Sequence, residues 1–201
     1  MKNNFDRVAP IYDLLAKFVF AKKLENIQRQ YLNEIPEGAK ILIVGGGTGK
    51  LLEWLPAEKS LTVTYLELSE KMLLKAKRRV LDDIYVTFQQ GDVLEVQGEY
   101  EVVIAHFFLD CFDEKLLIKV LNRLNGILKN DGKLFVADFK LNDKLKDKWL
   151  SKLMHQFFRL VSNLSSKELK DLHKLTLENG FKQVSYKTLY DEQLYAAIYE
   201  K

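Results

Sequence analysis

Cysteine is nearly absent from this chain of 201 residues, and proline is scarce. A single thiol, Cys111, excludes an internal disulfide and any metal cluster built on several thiolates, and it suits a reducing compartment. Three prolines and ten glycines leave no Pro/Gly-rich linker, and neither an internal repeat nor a low-complexity tract interrupts the chain. No apolar run approaches the roughly 18 residues that a membrane span needs. The opening MKNNFDRVAP lacks the basic-then-apolar order of a secretory signal, so the expected location is cytoplasmic. Charge of one sign is also lacking: 31 Lys and Arg face 28 Asp and Glu, for a formal net charge of +3. That is too little field to hold nucleic acid, which leaves a small molecule as the expected partner. What is present is core material. A hydrophobic share of 47% in 201 residues supports one folded domain spanning 1–201.

The apolar pattern alternates between two periods. ILIV (41–44), LTVTYLEL (61–68), YVTFQQ (85–90), EVVIAHF (101–107) and KLFVADF (133–139) read as strands. Between them TGKLLEWL, SEKMLLKAKRRV behind the cap Ser69, and EKLLIKVLNRLNGIL behind Asp113 have helical spacing. Strands apolar on both faces and separated by helices predict a parallel sheet covered on both sides. The last third departs from that rhythm. SSKELKDLHKLTLENGF reads as a helix capped at Ser165 or Ser166 and stopped at Asn179 and Gly180. FKQVSYKTLY and QLYAAIYE then form an antiparallel hairpin around a short turn containing Asp191 and Glu192.

IVGGGTGK (43–50) is the stretch richest in chemical meaning. A phosphate-cradling P-loop requires G-x-x-x-x-G-K-[ST], but the first glycine would fall on Val44 and the final hydroxyl on Leu51. A dinucleotide fingerprint, G-x-G-x-x-G, fits Gly45 and Gly47 and fails at Lys50. What stands there is Gly45, Gly47 and Gly49, with Gly46 besides, a bend that lets an adenosine-bearing ligand approach the main chain. Glu67 ends the second strand, where a carboxylate can accept from both hydroxyls of a ribose. NAD and S-adenosylmethionine both offer such a diol, but the terminal hairpin leaves no room for a dehydrogenase's second half.

With these motifs in this order, the chain resembles the class I S-adenosylmethionine-dependent methyltransferases over nearly its whole length. IVGGGTG is similar to their first motif, YLELSEKML to the acidic-strand motif, QQGDV to the adenine-binding turn and GILKNDGKLFVADF to the following helix-turn-strand. FDRVAPIYD resembles more narrowly the ubiquinone/menaquinone biosynthesis methyltransferases. The resemblance implies a Rossmann-like, doubly wound α/β fold: a mainly parallel seven-stranded sheet ending in an antiparallel hairpin, with helices on both faces. It implies S-adenosylmethionine as cofactor and S-adenosylhomocysteine as product. Gly45, Gly46, Gly47 and Gly49 would line its methionine and ribose side, and Glu67 would hold the diol. Leu68 and Met72 would flank the adenine, with helix packing the alternative for Met72. Asp92 would accept the adenine amino group while Val93 supplies a backbone N–H, and Tyr12 would fold over the cofactor. One position departs: an acidic residue usually stands two places before the glycines, and here it is Ile43, so that Asp110 becomes a candidate replacement.

His106, after the fourth strand, is the candidate base; the competing role is a hydrogen bond to cofactor or backbone. HFFLDCF lacks the [DNS]-P-P-[FYW] signature of many amino-group methylases. Residues 1–35 are expected to form an N-terminal helical cap. Residues 143–164, with Trp149, Leu153, Met154, Phe157 and Phe158, are expected to add a helix roofing an apolar or aromatic acceptor pocket, with a homodimer contact and plain core packing as the competing accounts. The reading is thus a methyltransferase acting on a small molecule. A binding module without catalysis and an NAD-dependent reductase are the alternatives.

Overall fold

The computed structural model describes residues 21–79, 84–140, 170–190 and 192–201. Its strands are β1 (Lys40–Val44), β2 (Thr62–Glu67), β3 (Tyr85–Gln90), β4 (Tyr100–His106), β5 (Leu128–Phe139), β6 (Lys182–Leu189) and β7 (Leu194–Glu200). They form one sheet in the order β3-β2-β1-β4-β5-β7-β6. The first five in that order are mutually parallel, whereas β7 runs antiparallel to β5 and to β6. This is the mixed sheet with a terminal hairpin expected from the residue pattern.

Both faces of the central strands are buried, which explains their continuous apolar runs. Leu42 and Val44 point into one core with Leu117, Leu121 and Tyr195, while Ile41 and Ile43 point into the other with Leu52 and Tyr65. The sheet divides these cores, and the helices packed against it among the described residues are α1 (Ala21–Arg29), α2 (Glu70–Ala76), α3 (Glu114–Ile127) and α4 (Leu172–Glu178). In α3 the buried residues Leu117, Val120, Leu121, Leu124 and Ile127 follow helical spacing. Ser69 caps α2 by accepting from Met72 N, and Asp113 Oδ1 caps α3 by accepting from Leu116 N at 2.8 Å, both as the sequence predicts.

Three elements differ from expectation. TGKLLEWL closes only a 3₁₀ turn, Lys50–Trp54, followed by a second at Ala57–Lys59. Gly49 enters the first turn at φ 80°, and Pro56 follows too soon for an α-helix to propagate. Second, NDG (130–132) lies inside β5: pairing steps from Tyr100↔Leu128 to Val102↔Lys133, so four residues bulge out against one. Third, the last helix is capped by Asp171, whose Oδ1 accepts from Lys174 N at 3.0 Å. Ser165 and Ser166, expected as caps, lie outside the described residues, as do most of the 1–35 cap and the whole 143–164 segment. Among the described residues no helix is long and apolar enough to cross a membrane.

Candidate active site

The carboxyl ends of β1 to β5 share one edge of the sheet, and strand order reverses between β1 and β4. Open α/β sheets bind ligands at such a switch point. The glycine bend leaves β1 at Gly45, whose N–H donates to Leu66 O at 2.9 Å. Gly45, Gly47 and Gly49 hold φ of 60°, 63° and 80°, the left-handed region that a side chain resists.

Side chains fasten the bend from several directions. Gly47 N donates to Glu67 Oε2 at 2.8 Å, and Gly47 O accepts from Tyr65 Oη at 3.0 Å. Arg79 Nε donates to Thr48 O at 2.6 Å, and the Arg79 guanidinium pairs with Glu53. The Lys50 ammonium on Glu53, with Arg79 beside it, holds that carboxyl below its usual range despite some desolvation. A loop tied in this way is ordered before any ligand arrives, which lowers the entropic cost of binding.

The glycines also make room for the protein itself. A methyl group on Gly46 would stand 2.4 Å from the Tyr65 ring, and one on Gly49 would stand 2.8 Å from Ala76 Cβ. At Gly45 it would stand 2.3 Å from Cδ2 of Phe108, which lies over the bend and packs edge-on against Phe112.

Glu67 is 5% exposed, and each of its oxygens has a main-chain partner: Oε2 takes Gly47 N and Oε1 takes Ser69 N, both at 2.8 Å. A carboxylate offers about four lone-pair sites in all, so this is a group able to accept from several donors at once. Gly91 N donates to Glu67 O at 3.3 Å, which brings the β3 turn alongside. There Asp92 is exposed and its Oδ1 accepts from Leu94 N at 2.9 Å, while the Val93 side chain is buried in the core. Leu68 is 41% exposed beside Glu67. Met72, by contrast, is 3% exposed, which favours the helix-packing alternative over an adenine contact. Tyr12 lies outside the described residues.

Ile43 is 1% exposed in the core with Tyr65 and Leu52. Its side chain points away from the edge, so a cationic group there must find its carboxylate elsewhere. Two are candidates: Asp110, already named from the sequence, and Asp138, which the residue pattern hardly announced. Asp138, at the end of β5, is fully buried, and Asp110 stands in the 3₁₀ turn Leu109–Cys111 that follows β4. Their Oδ2 atoms are enclosed without a hydrogen-bond partner, whereas Asp138 Oδ1 accepts from Phe139 N at 2.8 Å. Burial pushes the Asp110 carboxyl up to about 6, and burial with the charge of Asp110 pushes Asp138 well above the carboxylate range. Each carboxyl is thus biased toward its protonated form relative to an exposed carboxyl.

His106 is half-exposed as a residue, but its Nδ1 is enclosed and unpartnered. Burial drives the imidazole down to about 3, so it is neutral at pH 7 and a poor proton acceptor, contrary to its choice as base on ordinary titration grounds. A cavity of about 250 Å³ opens beyond β5, walled by Phe139, His173, Tyr186 and Tyr195 with Lys140 and Asp171 at its polar side. Tyr186 and Tyr195 stack at 5.5 Å, and His173 Nδ1 shares a hydrogen bond with Tyr199 Oη at 2.8 Å. Sequence reasoning missed this pocket because its walls come from four separated segments.

Residues 41–132, from β1 into the β5 bulge, match the family described as methyltransferase domain. Over those residues the chain is similar to a methyltransferase domain, set on the mixed seven-stranded sheet described above. Among solved structures, a chain from the Haloferax volcanii complex of the Trm112 methyltransferase activator with its candidate methyltransferase aligns at TM-score 0.73 and 14% identity. That alignment covers 100% of this chain and 98% of the other. Human N-acetylserotonin methyltransferase in complex with S-adenosylmethionine aligns at 0.70 and 16%, over 100% of this chain and 59% of its own. The [4+2]-cyclase SpnF aligns at 0.72 and 13%, over 98% and 93%. Likeness at these identities is one of fold. No curated protein sequence matches the chain.

Proposed function

We propose that the protein transfers the methyl group of S-adenosylmethionine to a small, aromatic or apolar acceptor by in-line displacement. The observation that carries this reading is Glu67, buried under the glycine bend at the carboxyl end of β2 with both oxygens anchored by main-chain N–H groups. A diol placed there accepts no strain from the loop, because the loop is already tied by Tyr65 and Arg79.

Gly45, Gly46, Gly47 and Gly49 would line the ribose and methionine side, with Leu68 against the adenine and Asp92 and Val93 at its polar edge. Tyr12 is proposed as a cover over the cofactor. The bound cofactor supplies an activated methyl group, so the chain's residues have to orient the acceptor and exclude water. Such alignment is worth about 7–11 kcal/mol in favourable cases. The cavity behind Tyr195 suits this task. Its volume of about 250 Å³ is near the lower end of small-ligand pockets, and its aromatic walls favour a planar acceptor over a flexible chain. His106, neutral at working pH, serves here as a hydrogen-bonding group rather than as a base.

Calorimetry with S-adenosylmethionine, S-adenosylhomocysteine and NADH tests the reading. Binding of the two adenosyl ligands, undisturbed by NADH, is the expected result; failure of both to bind refutes it. Binding without turnover on a panel of phenols, indoles and quinols would leave a cofactor-binding module instead. Quinols belong in that panel because FDRVAPIYD resembles the quinone-pathway enzymes.

A further inference from the structure

A hydroxyl acceptor must shed its proton as it is methylated, and His106, driven down to about 3, takes none near neutrality. The cavity beyond β5 holds another imidazole. His173, near the start of α4, stands on its wall with Phe139 and Lys140 around the end of β5, Tyr186 from β6 and Tyr195 from β7. Phe139 meets Phe107, the residue after β4, at 5.2 Å between ring centroids. The cavity therefore adjoins the sheet edge that carries the glycine bend and Glu67.

The His173 ring is held from two sides. Its Nδ1 lies 2.8 Å from Tyr199 Oη, and the imidazole packs on Tyr186 with centroids 4.6 Å apart. Tyr199 is fully buried, so the edge carrying Nδ1 faces the protein interior and Nε2 is the nitrogen left for the cavity. When Nδ1–H donates to Tyr199 Oη, Nε2 has a free lone pair, the state a base requires. The titratable groups that face the ring are Asp171 from its own segment, Lys140 after β5, Tyr186 from β6, and Tyr195 and Tyr199 from β7, with Glu192 beyond Lys140. Burial raises all three tyrosines, so they stay neutral. Lys140 holds Glu192 at 2.8 Å and stays cationic, while Asp171 spends Oδ1 on the Lys174 N–H. Burial lowers the imidazole below its usual 6.5, assisted by Lys140 and opposed by Asp171, which leaves it neutral at pH 7.

We propose that His173 is the catalytic base for an acceptor of the phenol class: oriented through Nδ1 by the Tyr199 hydroxyl, it takes the acceptor's hydroxyl proton at Nε2 as the oxygen is methylated. The inference rests on the methyl-transfer reading and adds to it the acceptor atom and the group that deprotonates it. The acceptor oxygen bonds to the methyl carbon as the carbon–sulfur bond breaks and its electron pair stays on sulfur. The hydroxyl proton passes to Nε2 and from the imidazolium to solvent. Tyr199, which touches only the ring, is a positioning residue. The Lys140 ammonium on the same wall favours a developing oxyanion over an amine that arrives charged. The rings of Tyr186 and Tyr195, stacked at 5.5 Å, suit the aromatic ring that makes a hydroxyl acidic enough to lose its proton to imidazole.

The first measurement needs neither ligand nor variant. Nitrogen-15 NMR of the wild type reads the His173 tautomer: the Nδ1-protonated form is expected, and the Nε2-protonated form overturns the proposal. Methylation of hydroquinone and of 4-nitrophenol by S-adenosylmethionine then separates a base from a strut. Because the base acts when neutral, kcat/KM for hydroquinone should fall as pH drops below about 6.5. His173→Gln should lower kcat for hydroquinone about 10²-fold or more, leave KM within about threefold and erase that acid limb. On 4-nitrophenol, mostly ionised at about pH 8, the same variant should lose less than about tenfold, since no proton has to be taken. Tyr199→Phe should lower kcat about tenfold and move the limb to lower pH, because the imidazolium loses an acceptor for Nδ1–H. Equal losses on the two acceptors in His173→Gln, with S-adenosylhomocysteine binding within about twofold of wild type, overturn the base role. Should that variant misfold, the wild-type tautomer and acid limb decide. A wild type that binds the adenosyl ligands and methylates neither phenol overturns the proposal and leaves the cofactor reading standing; one that binds neither ligand loses both.

Discussion

Replacing Glu67 by glutamine separates its two tasks. The side chain is 5% exposed and bonds Gly47 N and Ser69 N at 2.8 Å each. Glutamine keeps one acceptor oxygen and turns an amide N–H₂ toward the other main-chain donor. One bond to a charged acceptor is lost, at about 1.5–3 kcal/mol, and a buried donor is left unmatched. Glu67→Gln should therefore unfold in urea with a stability lower by about 2–4 kcal/mol. Alanine would forfeit both bonds and confuse a slack loop with a missing ribose contact. The ribose task is read by ligand discrimination. Wild type should prefer 5′-methylthioadenosine over its 2′,3′-dideoxy analogue by about 10² or more, since two hydrogen bonds to a carboxylate are at stake. In Glu67→Gln that preference should shrink to about tenfold or less. A variant that keeps the full preference while showing the stability loss would refute Glu67 as the diol acceptor and leave it a structural strut.

Gly49→Ala should cost about 2–4 kcal/mol in thermal or urea unfolding, because φ is 80° and the added methyl meets Ala76 Cβ at 2.8 Å in rigid surroundings. The pH dependence of ligand-free stability should carry the mark of Asp110. A carboxyl raised from 3.8 to about 6 keeps its proton in the folded state while the unfolded chain releases it. Stability then falls as pH rises from about 4 to about 6, by about 3 kcal/mol, and urea titrations of Asp110→Asn should show that slope flattened. An unchanged slope would contradict the burial of the pair. His106 should show imidazole resonances that stay fixed between about pH 5 and pH 8, since its folded value is about 3; movement near 6.5 would mean that the ring is solvated.

Much of the sheet was legible because period and punctuation agreed. β3 coincides with YVTFQQ, and α3 begins behind its predicted cap Asp113. The glycine bend and Glu67 also stood out, since glycine in a strand-helix junction and an acid ending an apolar strand each need a reason. TGKLLEWL misled because its leucines satisfy helical spacing, yet a left-handed Gly49 and an early Pro56 leave space for one tight turn. Ile43 could not be interpreted from its motif alone: only the alternation of β1 shows that it faces the core. Asp138 had one faint signal, a carboxylate inside the apolar run KLFVADF, but its partnership with Asp110 joins a strand to a turn that no local pattern relates. The fate of His106 depended on enclosure, which spacing does not encode.

The single tight turn after the glycines has a bearing on ligand charge. Long α-helices lend their leading end a partial positive charge that rewards phosphate, and five residues of Lys50–Trp54 accumulate very little of it. A pyrophosphate-bridged nucleotide would find no such reward at this bend, whereas a nucleoside joined through sulfur asks for none.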